Sequence, residues 1–251
     1  MMRRRGSYGL DGSFEHVPAA VQVLGETLFV AALAGVAVHG LARRRRRQAV
    51  LAGAPALAIA GIAAFYLQAT LLGKFAVWDR LLDDLHLRGD ERVLDLGCGR
   101  GAVLLAAARR LPRGSAVGVD LWRPDQSGNA EAATRQNAEL EGVADRIELH
   151  TADMTSLPFP DASFDVVVSN LALHNVVSPA GRRRAIEEAV RVLRPGGRLR
   201  LIDLAFTGQH ATQLRDAGLV GVDRRSAGWR MWFGGPFLPA RLVSATRPRD
   251  A

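Results

Sequence analysis

The sequence predicts an α/β fold built on a mostly parallel sheet with helices on both faces, and three observations support this prediction. From residue 92 onward, apolar runs of strand character alternate with helix-forming runs, the pattern of a doubly wound sheet. A glycine-rich turn, residues 97–101, joins the first strand to its helix. Two closing strands are separated only by a short turn at residues 233–237, so they should pair antiparallel.

The predicted elements follow each other in a regular order. Five apolar runs predict strands near residues 92–96, 116–120, 146–150, 164–170 and 198–204. The runs between and after them predict helices near residues 101–110, 128–141, 181–193 and 208–217. The two closing strands are expected near residues 219–230 and 238–246. We therefore expect one α/β domain over residues 74–251, beginning with an amphipathic helix near residues 74–87.

Charge and cysteine content narrow the possible functions. The chain of 251 residues has a formal net charge of +8, but eight arginines and only three acids lie in residues 1–73. The α/β part is nearly balanced, whereas a nucleic-acid enzyme usually carries a basic stripe on its working domain. We therefore expect no nucleic-acid partner. The single cysteine excludes an internal disulfide and a cysteine-rich zinc site, and we predict no metal.

Residues 1–73 predict a separate N-terminal region that contacts membrane lipid. Residues 1–16 are short and polar, and we expect them to be disordered. Residues 17–42 are largely apolar, residues 43–47 are five arginines, and residues 49–73 carry no formal charge. About 20 apolar residues suffice to cross a bilayer as a helix. The pattern indicates a helical membrane hairpin.

Two other interpretations of this region remain open. A soluble helical hairpin with alanine-rich faces would need polar faces, and residues 49–73 have almost none. A cleaved signal peptide would begin closer to Met1 and would not be followed by a second apolar run.

The glycine turn and two acids predict a site for a nucleoside cofactor. Gly97, Gly99 and Gly101 allow backbone N–H groups to approach a ligand without an intervening Cβ. Asp95 stands two residues before the first glycine, and Asp120 ends the second predicted strand. An acid at the position of Asp120 can accept hydrogen bonds from both hydroxyls of a ribose.

The G-x-G-x-G spacing resembles the first motif of class I S-adenosylmethionine (SAM)-dependent methyltransferases, and the resemblance covers residues 75–248. Four further motifs occur in the family's order: Val119-Asp120, residues 152–154, residues 164–170 and residues 193–197. The resemblance implies a seven-stranded, mostly parallel, doubly wound sheet of the class I methyltransferase type, here preceded by the membrane hairpin. It also implies SAM as the cofactor.

The resemblance assigns a contact with SAM to ten residues. The glycine loop would lie under the amino-acid tail and ribose, Leu121 would face the adenine, and Asp153 would accept from the adenine amine. Structural roles for Asp95 and Asp153 remain alternatives. The implied cofactor-binding residues are Asp95, Gly97, Cys98, Gly99, Gly101, Asp120, Leu121, Asp153, Met154 and Asn170.

Residues 169–175 supply the candidate catalytic groups, Asn170 and His174. They follow the fourth strand at the carboxyl edge of the sheet, where this type of fold binds ligands. His174 can serve as a general base for an acceptor that arrives protonated. A structural histidine that lines the cofactor is the alternative. The segment lacks the Asn-Pro-Pro-Tyr or Asp-Pro-Pro-Tyr pattern of nucleobase and glutamine methyltransferases.

The sequence therefore predicts a membrane-associated SAM-dependent methyltransferase that acts on a hydrophobic small molecule such as a quinone, a lipid or a hydrophobic metabolite. The alternatives are a methyltransferase for a membrane-associated protein subunit and a non-catalytic SAM-binding regulator. Because SAM is cytosolic, the catalytic domain should face the cytoplasm. Two full spans would then place residues 43–47 outside, against the positive-inside tendency, so partial insertion is an alternative.

Overall fold

The computed structural model describes residues 4–12 and 19–249, and its centre is a seven-stranded sheet. The strands are β1 (Arg92–Leu96), β2 (Ser115–Asp120), β3 (Ile147–Thr151), β4 (Phe164–Asn170), β5 (Leu193–Asp203), β6 (Val220–Ser226), β7 (Phe233–Pro236) and β8 (Arg241–Thr246). All except β7 belong to the sheet, in the order β3-β2-β1-β4-β5-β8-β6. The first five strands are parallel, and β8 pairs antiparallel with both β5 and β6. The predicted sheet is confirmed.

Helices cover the sheet on both faces. The α-helices of the described residues are α1 (Ala19–Ala42), α2 (Arg46–Gln68), α3 (Lys74–Asp83), α4 (Leu104–Ala108), α5 (Glu131–Glu141), α6 (Pro179–Val192) and α7 (Thr207–Asp216), and those after α2 flank the sheet. Successive residues of β4 alternate between two cores, because side chains of a strand point to opposite faces. Val166 and Val168 belong to the core shared with α3 and α4, whereas Val167 belongs to the core shared with α6 and α7.

The order of the strands places a crevice between β1 and β4. The chain proceeds outward from β1 to β2 and β3, returns to β4, and then continues in the other direction. The loops that follow β1 and β4 therefore separate at the carboxyl edge, which is where doubly wound sheets bind ligands.

Three local predictions differ from the structure. The predicted turn at residues 193–197 is incorporated in β5, and the pairing of β4 with β5 is irregular there, between Phe164 and Val166. Residues 233–236 form the short strand β7 rather than a simple turn. The helix expected at residues 101–110 is shortened to Leu104–Ala108, because the glycine turn extends into its first residues.

The N-terminal helices α1 and α2 pack against each other as a hairpin. A π-helical turn, Ala69–Gly73, joins α2 to α3, so one helical segment runs from Arg46 to Asp83. Two segments, Val21–Ala42 and Arg46–Asp83, are long and apolar enough to cross a membrane, with mean hydropathy 1.9 and 2.0. This criterion rests on length and composition alone. Small residues hold the pair together: a Cβ on Gly40 would lie 2.9 Å from the backbone nitrogen of Ala49.

The expectation of disorder at residues 1–16 is wrong for residues 4–12, which we call the strap; residues 1–3 and 13–16 lie outside the described residues. The strap is folded against the α/β domain. The Tyr8 ring is buried and contacts the Phe75 ring edge-on, with 5.1 Å between centroids. The Asp11 carboxylate accepts hydrogen bonds from the Lys74 ammonium at 2.9 Å and the Thr70 hydroxyl at 2.7 Å. The buried ring of Tyr8 and the paired charge of Asp11 thus fix the strap, although its polar sequence alone suggests disorder.

Candidate active site

A cavity of about 710 Å³ occupies the crevice at the carboxyl ends of β1 and β4. This volume falls within the range of small-molecule sites. Its walls include the glycine loop after β1, the end of β2 and the segment after β4. Nine of the ten predicted cofactor residues and the candidate base His174 line it. The exception is Gly101, where a Cβ would lie 3.0 Å from the Leu105 side chain and 3.1 Å from that of Thr134, so it serves close packing.

The glycine loop has the backbone conformation that its sequence suggests. Gly97, Gly99 and Gly101 have φ angles of 71°, 50° and 85°, a region that residues with a Cβ rarely adopt. A Cβ on Gly97 would lie 2.2 Å from the Cβ of Ala172 across the crevice. Any residue with a Cβ at this position would therefore clash with Ala172 in the wall of the cavity.

Asp120 fixes the loop from the end of β2. One carboxylate oxygen accepts a hydrogen bond from the Gly99 N–H at 2.8 Å, and the other accepts from the Trp122 N–H at 2.6 Å. Asp120 also faces the cavity. The carboxylate is therefore held in place and directed at the ligand space, which suits acceptance of ribose hydroxyls.

Asp95 provides an independent test of whether the site fits SAM. Within the described part of the chain, neither oxygen of its buried carboxyl accepts a hydrogen bond of normal geometry, although the backbone N–H of Leu104 acts to lower its pKa and the residue lines the cavity. Burial raises the pKa of Asp95 to about 8. A buried carboxyl without partners is costly, and a ligand ammonium at this point would supply both charge and donors. The residues present thus fit the amino-acid tail of SAM.

Three further predicted cofactor residues, Asp153, Cys98 and Leu121, line the cavity in different ways. The carboxylate of Asp153 accepts a hydrogen bond from the Thr155 N–H at 2.8 Å, so it caps its own loop while facing the cavity. Cys98 is buried, and burial raises its thiol pKa, so the thiol is neutral in the wall. Leu121 is 40% exposed and lines the cavity, as an apolar contact for a flat ring would.

His174 is paired with a carboxylate that the sequence analysis missed. His174 lies on a short 3₁₀ helix, Leu173–Asn175, and its Nδ1 is 2.5 Å from an oxygen of Asp203, at the end of β5. The other Asp203 oxygen accepts from the His174 backbone N–H at 3.0 Å. Burial alone would lower the pKa of His174, but the hydrogen bond to Asp203 and the charges of Asp203 and Asp125 outweigh it, so the pKa is raised.

The pairing determines which nitrogen of His174 is available. An ionised carboxylate only accepts hydrogen bonds, so in neutral His174 the proton sits on Nδ1 and Nε2 is left as an acceptor. Asp203 is only 1% exposed, whereas His174 lines the cavity. The sequence contained a signal for Asp203. The strand β5 is a parallel neighbour of β4 and ends in this acid, so the acid lies at the same edge of the sheet as the segment after β4.

Asn170 is held by a residue from outside the α/β motifs. Its side-chain oxygen accepts a hydrogen bond from the indole N–H of Trp78 at 2.8 Å. Trp78 lies on α3 and is 2% exposed, so the amide of Asn170 is oriented by a packed ring. The two residues are 92 positions apart, and neither local pattern indicates the contact.

The strap and the loop after β2 form one side of the cavity, and the contribution of the strap was not expected from the sequence. Asp11 and Gly12 line the cavity, and Asp11 accepts a hydrogen bond from Gln126 at 3.2 Å. Gln126 in turn accepts from the Arg100 N–H of the glycine loop at 2.9 Å. Across the cavity, the Asn175 amide donates to Asp125 at 3.0 Å. These contacts connect the N-terminal region to the cofactor loop.

Comparisons with known proteins agree with this geometry. Residues 93–197 match the family described as "Methyltransferase domain". The chain is 38% identical over 144 residues to a 27-O-demethylrifamycin SV methyltransferase of Amycolatopsis mediterranei, covering 57% of this chain and 49% of the relative. It is 36% identical over 134 residues to a ubiquinone/menaquinone biosynthesis C-methyltransferase of Dinoroseobacter shibae, covering 53% and 50%. The chain thus spans about half the length of the curated relatives it matches.

Solved structures share the fold at low sequence identity. A SAM-dependent methyltransferase from Aquifex aeolicus superposes with a TM-score of 0.52 and 20% identity over 67% of this chain and 88% of its own. The [4+2]-cyclase SpnF gives a TM-score of 0.55 and 22% identity over 68% and 81%. These likenesses concern the fold. The family match, in turn, places a methyltransferase domain at residues 93–197.

Proposed function

We propose that this chain is a membrane-attached methyltransferase that uses SAM to methylate a lipid-soluble small molecule whose reacting group carries a proton, of the quinol type. The observation that carries the proposal is the His174–Asp203 pair at a cavity that also has an apolar wall. The curated relatives include enzymes whose names specify quinone and rifamycin substrates.

The chemistry needs alignment and removal of a proton. SAM supplies a methyl group on a sulfonium sulfur that leaves as a neutral thioether. Asp120 and Asp95 are suited to hold the ribose and the ammonium, which fixes the direction of the methyl group. Nε2 of His174 would accept the acceptor's proton, and Asp203 would stabilise the resulting imidazolium. Loss of the proton from a quinol hydroxyl makes both its oxygen and the adjacent ring carbon nucleophilic.

The apolar wall supports a hydrophobic acceptor. Val103, Leu204, Phe233 and Leu238 are among the apolar residues that line the cavity. Such a wall has little affinity for a charged protein side chain, but it buries an aromatic ring well.

The exposure of the N-terminal hairpin supports attachment to a membrane. In the apolar 18-residue stretch of each segment, only 6% (Val21–Ala42) and 11% (Arg46–Asp83) of the residues are buried. The core helix of a soluble protein is mostly buried. Apolar side chains such as Leu51 and Leu57 are 76% and 77% exposed. Because the strap contacts Thr70 and Lys74, both ends of the hairpin lie beside the catalytic domain, and residues 43–47 lie at the far end.

The test is transfer of a radiolabelled methyl group from SAM in membranes that contain the full chain, followed by separation of organic solvent from precipitated protein. Label in the organic phase supports the proposal. Label in the protein precipitate indicates a protein methyltransferase instead, and absence of transfer despite SAM binding indicates a non-catalytic SAM-binding protein.

A further inference from the structure

The turn at residues 229–238, which contains β7, lies directly against the end of α2. The rings of Phe65 and Trp232 are 5.8 Å apart between centroids, and those of Tyr66 and Phe233 are 6.3 Å apart. About two helical turns later, a Cβ on Gly73 would lie 1.8 Å from the backbone oxygen of Arg230, so the two backbones touch. The turn therefore packs against the junction between the apolar helix α2 and α3.

The outer side of this turn is unusually apolar for a surface. Phe237 is 92% exposed, Trp229 is 51% exposed and Leu238 is 45% exposed. Exposed aromatic clusters of this kind mark interaction surfaces, and aromatic residues concentrate at the boundary between a bilayer and water.

The inner side of the same turn forms part of the cavity. Phe233 and Leu238 line the cavity together with Tyr66 of α2. Leu238 is thus both a wall residue and partly exposed, so it stands at an opening. Beside Leu238, the aromatic turn packs against the apolar helix α2, and His174 and Asp120 line the same cavity.

The surroundings favour lipid over another protein chain at this opening. The turn packs against Phe65 of α2, and earlier residues of this helix are exposed and apolar: Leu57 is 77% and Ile62 is 51% exposed. Arg230 lies over the Trp229 ring at 4.7 Å and, among the described residues, forms no ion pair with an acid. An arginine that has no acidic partner and lies beside exposed aromatics matches the anionic head groups and acyl region of a membrane surface.

We propose that the surface at Leu238, on the turn that packs against the end of α2, is the entrance through which the apolar chain of a membrane-dissolved substrate extends while its reacting ring occupies the cavity. The inference rests on the proposed function and specifies its substrate as a ring that carries a long apolar chain. Phe237 and Trp229 would sit in the bilayer surface, and Leu238 and Phe233 would contact the chain.

Site-specific fluorescence can test the membrane contact without any turnover. The full chain would carry one environment-sensitive label at Phe237→Cys, Leu57→Cys or Val220→Cys, in vesicles of phosphatidylcholine and phosphatidylglycerol that contain lipid-borne quenchers. The native Cys98 is buried, so the unsubstituted chain controls for stray labelling. Val220 is 54% exposed, like Trp229, but lies at the far end of β6, which makes it the matched control.

We expect quenching at positions 57 and 237 and none at position 220. Quenching at 57 without quenching at 237 would overturn the entrance while leaving membrane attachment intact. The absence of quenching at both positions would overturn the entrance and the membrane attachment together.

A kinetic comparison tests passage of the chain. The probes are a 1,4-naphthoquinol with a polyprenyl chain and the same quinol without the chain, each assayed in vesicles with the parent, Phe237→Ser and Val220→Ser. Because the exposed Phe237 ring would seat the entrance in the bilayer surface, its removal in Phe237→Ser should lower the ratio of kcat/KM for the chain-bearing quinol to that for the chainless quinol by about tenfold. An unchanged ratio, or an equal fall in Val220→Ser, would overturn the proposal. If neither quinol is methylated, the quenching result decides the entrance by itself.

Discussion

Nδ1 of His174 lies 2.5 Å from the carboxylate of Asp203, although the two residues belong to different crossovers of the sheet. The pair exists because β4 and β5 are parallel neighbours, so their carboxyl ends deliver both residues to one edge. The buried carboxylate raises the pKa of the histidine and leaves Nε2 as the free acceptor. This arrangement turns a histidine of uncertain role into a defined candidate base.

The pair predicts a specific dependence of the rate on pH. At a pH below its pKa, His174 is protonated and cannot accept a proton. Because the pKa of His174 is raised above the ordinary imidazole value of about 6.5, kcat should begin to fall on acidification at a pH above that value. Asp203→Asn removes the charge that raises the pKa of His174, so the fall should move to lower pH. The measurement is kcat against pH for both proteins. An acid limb that stays in place in Asp203→Asn would contradict the pairing.

Removal of the imidazole should affect turnover more than cofactor binding. For His174→Ala we expect kcat to fall by about 10²–10⁴-fold and the Kd for SAM to stay nearly constant, because the ring acts on the acceptor. Kinetics and calorimetry on the same preparation separate the alternatives. A parallel loss of SAM affinity would mean that His174 lines the cofactor, and a parental kcat would remove it from the mechanism.

Asp120 should be required for cofactor affinity. Because each charge-assisted hydrogen bond contributes roughly 1.5–3 kcal/mol, we expect Asp120→Ala to weaken SAM binding by more than about tenfold. The variant also releases the Gly99 and Trp122 N–H groups, so its melting temperature must be measured alongside. Calorimetry that shows unchanged affinity would rule out the ribose contact.

Asp95 should make SAM binding depend on pH. With a pKa of about 8, its carboxyl is protonated near pH 6, and a ligand ammonium favours the ionised form, so binding should release a proton. As the pH is raised toward the pKa of the SAM ammonium, near 7.7–8.0, we expect the affinity for SAM to increase by up to about tenfold per pH unit. Calorimetry in buffers of different ionisation enthalpy measures the released proton. Asp95→Asn should abolish the release, and a release that persists in this variant would contradict the assignment.

The ion pair between the strap and α3 should stabilise the fold. Lys74 is only 1% exposed, so Asp11→Asn leaves a buried ammonium without its charge partner, which costs on the order of 3 kcal/mol. The double variant Asp11→Asn with Lys74→Met removes both charges and should be more stable than Asp11→Asn alone. Denaturant unfolding of the three proteins in detergent measures this difference. Equal stability of all three would show that the strap is not held by this pair.

The pattern of local sequence was sufficient for the strands of the sheet, the conformation of the glycine loop and the position of Asp95 and Asp120 at the cavity, because each depends on residues close together in the chain. It was insufficient where distant segments meet. The Asp11–Lys74 and Trp78–Asn170 contacts join residues 63 and 92 positions apart, and no periodicity reports them. For the same reason, a strap that is polar and short was expected to be disordered, although a buried Tyr8 and a paired Asp11 fix it.

The strap also changes what a truncation should do. From the sequence, residues 1–73 are a separable anchor. In the structure, they include Asp11, which lines the cavity, and Thr70, which supports it. Attachment is therefore tested better with the full chain: Leu57→Arg, at the middle of α2, should release protein on carbonate washing, because a central arginine costs about 2.5–3.5 kcal/mol in a membrane. Leu140→Arg, at an exposed leucine of α5, is the control and should stay in the pellet.

Identification of the methylated product tests the proposed function most directly. Membranes containing the full chain would be incubated with SAM that carries a trideuterated methyl group, and the organic extract would be analysed by mass spectrometry. We predict a lipid-soluble product that carries the deuterated methyl group with the parent protein and is nearly absent with His174→Ala. Deuterated methyl found only on protein, or in no product at all, would contradict methylation of a lipid-soluble acceptor.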